Sequence, residues 1–119
     1  YIHSEAYTAG ELKHGPISLL EDGTLVIAIA TYQKLFDKMM SNVREVKARG
    51  AVVLGITVRG TEEALKQEPD YQFCVPDITD FMLPSLSILP LQLFAYYVAS
   101  MKGCDIDKPR NLAKSVTVE

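Results

Sequence analysis

The chain has 119 residues, of which 48% are hydrophobic and 23% are charged, and its formal net charge is −3. That length suits one domain, and the composition is that of a folded globular protein rather than a disordered one. With 12 basic against 15 acidic residues and no dense Lys/Arg cluster, the sequence argues against a nucleic-acid-binding protein. Proline and serine interrupt its longest apolar stretch, so we expect a core helix there rather than a membrane span.

Cys74 and Cys104 are the two cysteines of the chain, and they form no CxxC pair. No cluster of histidines stands at zinc-ligand spacing beside them. No charged segment leading into an apolar one opens the sequence, as it would in a secretory signal. We therefore expect two free thiols, no metal site and a cytoplasmic location.

The first predicted element is a helix that ends within the stretch ELKHGP, residues 11–16. Gly15 and Pro16 stop it, so Lys13 and His14 fall in its last turn. One interpretation of His14 is a cation that offsets the negative end of the helix dipole, worth about 0.3–1 kcal/mol when exposed. The other is a group that transfers a proton, because an imidazole titrates near neutrality. Spacing alone leaves both interpretations open.

The middle of the chain alternates strand and helix patterns. Apolar residues recur at three- and four-residue intervals over 32–48, which predicts an amphipathic helix that Gly50 ends. A capping-box pattern predicts a short helix over 61–67. Apolar runs of strand length predict three buried strands of a parallel sheet, over 24–30, 51–57 and 71–75.

The last long element, residues 84–102, is apolar around its whole circumference, so we expect it to be covered on nearly every side. Strands alternating with helices predict an α/β fold, a three-layer αβα arrangement of right-handed crossovers around a parallel sheet. Only three strands are predicted, and the residues that open the chain look like the end of a buried strand. We therefore expect a fold that is incomplete at its amino terminus, with missing strands, a partner subunit, or both.

Two long motifs at the ends of the chain resemble one enzyme family. YIHSEAYTAGELKHGPISLL, LPLQLFAYYVASMKGCDIDKPRNLAKSVTVE and the strand and helix over 25–50 are similar to the isomerase region of the glutamine:fructose-6-phosphate aminotransferases, or glucosamine-6-phosphate synthases. That region is the second of a pair of sugar isomerase (SIS) domains. The resemblance implies an SIS-like fold with flavodoxin-type, nucleotide-binding-like topology. Residues 1–103 would form the carboxy-terminal part of the SIS domain, and residues 104–119 an active-site tail.

The resemblance also implies a reaction, in which fructose 6-phosphate and ammonia from glutamine give glucosamine 6-phosphate through an imine, with no metal or organic cofactor. His14 of KHGP would assist opening of the sugar ring. Lys114 of NLAKSVTVE would form a Schiff base with the open-chain ketose, which requires an unprotonated amine. Arg110, one turn before Lys114 if the segment is helical, would favour that neutral amine or hold the tail in place.

Several parts of the family's site lie outside these residues: the carboxylate that shuttles the proton, the Ser/Thr-rich loop that grips the sugar phosphate, and the glutaminase. The expected partners are therefore a sugar phosphate, an amino-terminal glutaminase and first SIS domain in a longer chain, and a second copy in a homodimer. We expect the piece alone to be inactive. Two alternatives stay open, a noncatalytic phosphosugar-binding regulator and a dimerisation unit built on the helix over 84–102. Outside the resemblance, we expect structural or surface roles for His3, Glu5 and Glu11.

Overall fold

A parallel three-stranded sheet forms the centre of the computed structural model, which describes residues 2–61, 63 and 68–109. The strands lie in the order β1-β2-β3, with β1 at Leu25–Ala30, β2 at Val52–Val58 and β3 at Tyr71–Val75. Helix α1 is Phe36–Lys47 and helix α2 is Leu83–Met101. Short 3₁₀ helices cover Ala9–His14, Pro16–Leu19 and Gln33–Leu35. The predicted strands and the helix after β1 are thus confirmed, with ends shifted by a few residues at most. Most of the predicted helix over 61–67 lies outside the described residues.

The register of the sheet assigns each strand residue to one of two faces. Leu25 lies opposite Val52 in the β1–β2 pair, and Leu54 lies opposite Tyr71 in the β2–β3 pair. Because successive side chains of a strand point to opposite sides, both faces of this sheet receive apolar residues. The chain therefore builds two separate cores, one on each side.

The core on the first side, which we call the α1 face, joins the sheet to α1 and to the segment before β1. Val43 and Val46 of α1 are 3% and 2% exposed, and each such burial stabilises the fold by about 1.5–3 kcal/mol. Leu12 and Leu20, from the residues before β1, pack at its border. The buried members of this core are Ile17, Ala28, Ala30, Met40, Val43, Val46, Ala51 and Val53.

The core on the opposite side, the α2 face, is smaller. Its buried residues are Ile56, Val58, Val75 and Leu83, with Ile27, Leu86 and Leu91 packed around them. The fold is thus a three-layer α/β/α arrangement, as the sequence predicts.

The described residues cover only part of helix α2. Leu83 and Ser87 are its buried residues, and Leu93, Tyr97 and Met101 are 53%, 60% and 87% exposed. By length and composition alone, α2 could also cross a membrane, although such a test is passed by core helices of soluble proteins as well. This exposure agrees with the expected incomplete fold, in which missing strands, a partner subunit, or both cover the helix.

The opening of the chain also differs from the prediction. Residues 2–8 have no regular structure and Ile2 is 63% exposed, so the expected strand end is absent from them. The helix before Gly15 is a six-residue 3₁₀ helix, Ala9–His14, rather than a longer α-helix. Gly10 lies inside it and Thr8, at its amino-terminal cap, makes no side-chain capping hydrogen bond. Both features lower the stability of an α-helix at this place.

Candidate functional site around His14

His14 lies at the end of the first 3₁₀ helix, in the last turn that the sequence predicts for it. Its side chain is exposed, and within the described part of the chain it makes no hydrogen bond and no ion pair. The structure therefore gives His14 no structural partner among these residues. An imidazole held at a surface in this way is available to a ligand or to another part of a longer protein.

The backbone around His14 is anchored although its side chain is free. Leu12 packs against the core on the α1 face, and Ile17, three residues after His14, is only 8% exposed. The N–H of Gly15 donates to the carbonyl of Leu12 at 3.3 Å, and the Ser18 hydroxyl donates to the carbonyl of Gly15 at 2.7 Å. These contacts fix both ends of the turn, so His14 is presented from a defined position.

Lys114 and Arg110, the other two predicted site residues, lie outside the described residues. The structure consequently tests neither the predicted approach of Lys114 to His14 nor the positioning role of Arg110. Both remain predictions.

A second polar group precedes His14, at residues 3, 5 and 7. The Glu5 carboxylate bonds His3 Nε2 at 3.1 Å through one oxygen and accepts a hydrogen bond from the Tyr7 hydroxyl through the other. The hydrogen bonds from Tyr7 and His3 lower the pKa of Glu5, and the bond to Glu5 raises the pKa of Tyr7. His3 does form a hydrogen bond, as predicted, but its side chain is 85% exposed, so it supports no buried structure here.

A shallow pocket of about 220 Å³ lies at the carboxyl ends of the strands, where parallel α/β sheets commonly bind ligands. Thr31 and Tyr32 line it from the end of β1, and Asp77 and Asp80 line it from the segment after β3. These residues were not predicted from the sequence, although two aspartates within five residues of the end of a strand are a usable signal. No group of three or more metal-ligating side chains occurs in the part of the chain that the structure describes, and Cys74 and Cys104 are both free thiols, as predicted.

Comparison with known proteins gives consistent matches. The model of the SIS domain family matches residues 1–102. The glutamine–fructose-6-phosphate aminotransferase (isomerizing) of Clostridium acetobutylicum is 56% identical over 119 residues, which are 100% of this chain and 19% of that protein. The protein of the same name from Thermococcus kodakarensis is 51% identical, again over 100% of this chain and 19% of its own length. The chain thus spans about a fifth of the length of these curated relatives.

A solved structure supports the same assignment. The C-terminal domain of glucosamine-fructose-6-phosphate aminotransferase from Francisella tularensis superposes with a TM-score of 0.85 and 38% sequence identity. The match covers 92% of this chain and 31% of that one, so the described fold is part of a larger domain. The parallel sheet with helices on both faces and the family match over residues 1–102 lead to one conclusion: this chain belongs to the SIS domain family.

Proposed function

We propose that this chain is part of the isomerase unit of a longer enzyme that converts fructose 6-phosphate and glutamine to glucosamine 6-phosphate and glutamate. The observation that carries the proposal is the 56% identity, over all 119 residues, to an aminotransferase named for that isomerizing reaction. His14 within ELKHGP is exposed and has no side-chain partner among the described residues, which agrees with the proposal because a proton-transfer group must reach its substrate. In this proposal residues 1–103 are the carboxy-terminal part of the SIS domain, and residues 104–119 are the active-site tail.

His14 acts first, on the closed form of the sugar. Opening the ring requires a proton on the ring oxygen and loss of a proton from the anomeric hydroxyl, and a neutral imidazole can accept one proton and return another. The anchored turn between Leu12 and Ile17 holds the imidazole in place. Such a transfer typically accelerates a step by about 10²–10⁴-fold.

Lys114 acts on the opened ketose. Its neutral amine attacks the carbonyl carbon, and loss of water leaves an imine. A cation near the amine favours the neutral form, which is one role for Arg110; contacts that hold the tail are the other. The carboxylate that moves the proton between carbons and the groups that grip the phosphate come from other parts of the longer protein.

The proposed partners supply the groups that this chain lacks. The longer protein supplies a glutaminase and a first SIS domain, the substrate is a sugar phosphate, and two copies form a homodimer in the cytoplasm. We expect the isolated piece to be inactive, because the carboxylate that moves the proton and the groups that grip the phosphate lie outside it.

The test uses the longer enzyme and two neighbouring substitutions. His14→Gln lowers the rate of glucosamine 6-phosphate formation by roughly 10²-fold or more, and an unchanged urea-unfolding midpoint shows that the protein is folded. Lys13→Gln, a control in the same turn, leaves the rate within about twofold. Full activity of His14→Gln would contradict the proposal. Binding of the sugar phosphate without any turnover would favour a noncatalytic regulator instead.

A further inference from the structure

Gly15, the residue directly after His14, has a backbone conformation that few other residues can adopt. Its φ is +154° and its ψ is −58°, whereas a residue with a Cβ rarely has a positive φ. It ends the first 3₁₀ helix and caps the second, Pro16–Leu19. Among the described residues, a Cβ at Gly15 would meet nothing within 4 Å. The backbone conformation, and not a lack of space, therefore calls for glycine here.

Hydrogen bonds hold the peptide groups on both sides of Gly15. The backbone N–H of Ser18 donates to the Gly15 carbonyl at 2.9 Å, and the Ser18 hydroxyl donates to the same carbonyl at 2.7 Å. On the other side, the N–H of Gly15 donates to the carbonyl of Leu12 at 3.3 Å. That N–H belongs to the peptide group that joins Gly15 to His14. The direction in which the chain leaves His14 is thus determined by Gly15 and its partners.

The packing on either side restricts how a substitution at Gly15 could be accommodated. Leu12 packs at the border of the core on the α1 face, and Ile17 is 8% exposed within it. A residue with a Cβ that precedes a proline, as position 15 precedes Pro16, prefers ψ of about +120° to +160°. That value differs from the ψ of Gly15 by about 180°. Because Leu12 and Ile17 are held by the core, we expect the change to displace His14 between them.

We infer that Gly15 and Ser18 are positioning residues for His14: the backbone conformation of the glycine, held by the serine hydroxyl, places the imidazole for proton transfer to the sugar. Unusual backbone conformations cluster at active sites, where they hold reacting groups in place. A displacement of about 1 Å at a reacting group can lower a rate by about 10²-fold. This inference rests on the proposed function of His14 and adds the residues through which the fold controls it.

A double-mutant cycle in the longer enzyme tests the inference. Gly15→Ala should lower kcat for glucosamine 6-phosphate formation by about tenfold or more. The KM for fructose 6-phosphate should change by less than about threefold, because the groups that grip the phosphate lie elsewhere. In the His14→Gln background, Gly15→Ala should change kcat by less than about twofold, since no imidazole remains to be displaced. The matched control is Gly23→Ala, in the turn before β1, where φ is also positive and a Cβ also meets nothing within 4 Å. It should leave kcat within about twofold.

A pair of substitutions at Ser18 gives a second readout if Gly15→Ala does not fold, which urea unfolding would show. Ser18→Ala removes the hydroxyl and keeps the backbone N–H, so kcat should fall by about threefold. Ser18→Thr keeps a hydroxyl and should restore kcat to within about twofold. Equal values of kcat in Ser18→Ala and in the unmodified enzyme would contradict a positioning role for this hydroxyl.

Three results of the cycle would overturn the inference. If Gly15→Ala keeps kcat within about twofold while His14→Gln is slow, the inference fails and the proposed function stands. An equal loss from Gly15→Ala in both His14 backgrounds would show that Gly15 does not act through the imidazole. Full activity of His14→Gln would remove the proposed function itself, and the inference with it.

Discussion

Lys47 on α1 and Asp70 at the start of β3 are joined by a hydrogen bond of 2.8 Å between Nζ and Oδ1. The other oxygen of Asp70 accepts a hydrogen bond of 2.8 Å from the backbone N–H of Val53, on β2. One carboxylate thus ties a helix and a neighbouring strand to the entry of β3. Nearby, Arg44 of α1 and Glu68 form a second ion pair, with 2.6 Å between Nε and Oε1. This pair holds the segment that leads into β3 against α1.

The pKa of Asp70 is lowered by the hydrogen bond from Lys47 and then by that from Val53, so its contribution to stability depends on pH. A carboxyl group with a lowered folded-state pKa stabilises the fold above its ordinary pKa of about 3.9, and this contribution disappears as the pH falls through the lowered value. Asp70→Asn should therefore lower the free energy of unfolding at pH 7, and its difference from the unmodified protein should shrink as the pH falls below about 4. Urea denaturation of the longer protein between these pH values measures the difference.

The matched control for that series is Asp107→Asn, an exposed position whose carboxylate accepts no hydrogen bond among the described residues. It should change the free energy of unfolding by less than about 0.5 kcal/mol, as surface substitutions usually do. A constant difference between Asp70→Asn and the unmodified protein at every pH would contradict the role assigned to the Asp70 carboxylate.

Gly23 and Gly50 share a backbone conformation but have different surroundings, so the same substitution can be compared at the two positions. Both have φ of +81°, and the N–H of Gly23 donates to the carbonyl of Gly50 at 2.8 Å. A Cβ at Gly23 meets nothing within 4 Å, whereas a Cβ at Gly50 would lie 2.4 Å from Oδ1 of Asp22. Gly23→Ala should cost about 1–2 kcal/mol from backbone conformation alone. Gly50→Ala should cost about 1 kcal/mol more, because Asp22 has to move. Equal losses of stability, measured by chemical denaturation, would show that the Asp22 side chain moves aside without an energetic cost.

A buried hydroxyl pair joins α2 to the end of β1. Ser87 is 3% exposed and donates to the carbonyl of Leu83 at 2.7 Å, and its hydroxyl oxygen lies 3.3 Å from that of Thr31, which is 7% exposed. Ser87→Ala should cost about 1 kcal/mol of stability, and Thr31→Val a similar amount. If the hydroxyls bond each other, a double-mutant cycle should give a coupling of about 0.5 kcal/mol or more. If the two losses of stability are additive, the effect of Ser87→Ala comes from its hydrogen bond to the Leu83 carbonyl alone.

The sequence predicts the sheet and the apolar character of α2, but it does not identify what covers α2, and each result has a physical reason. The strands after Gly23 and Gly50 are continuous apolar runs that only a sheet buried on both faces requires, so pattern alone finds them. The exposure of α2 depends on what packs against it, which no periodicity within residues 84–102 records. The bond between Lys47 and Asp70 likewise joins charged residues that are far apart in sequence, and neither residue carries a sequence signal of its partner.

The sequence likewise predicts one part of the candidate site and not another. The turn signals Gly15 and Pro16 correctly predict that His14 ends a helix, because those residues act locally. The catalytic role proposed for His14 comes from the family resemblance and not from spacing, since a cation at a helix end has a sufficient structural explanation. The pocket beside Asp77 and Asp80 arises only when the ends of β1 and β3 are brought together, which requires the folded sheet.

The proposal that His14 and Lys114 act on the same opened ketose can be tested by chemical trapping on the longer enzyme. Fructose 6-phosphate is added with borohydride, which reduces an imine to a stable secondary amine, and peptide mass spectrometry locates the modified lysine. We expect modification at Lys114, no modification at that position in Lys114→Arg, and a rate of modification roughly 10²-fold lower in His14→Gln, because ring opening precedes imine formation. Modification of another lysine would contradict the proposed role of Lys114. An unchanged rate of Lys114 modification in His14→Gln would contradict the proposed role of His14.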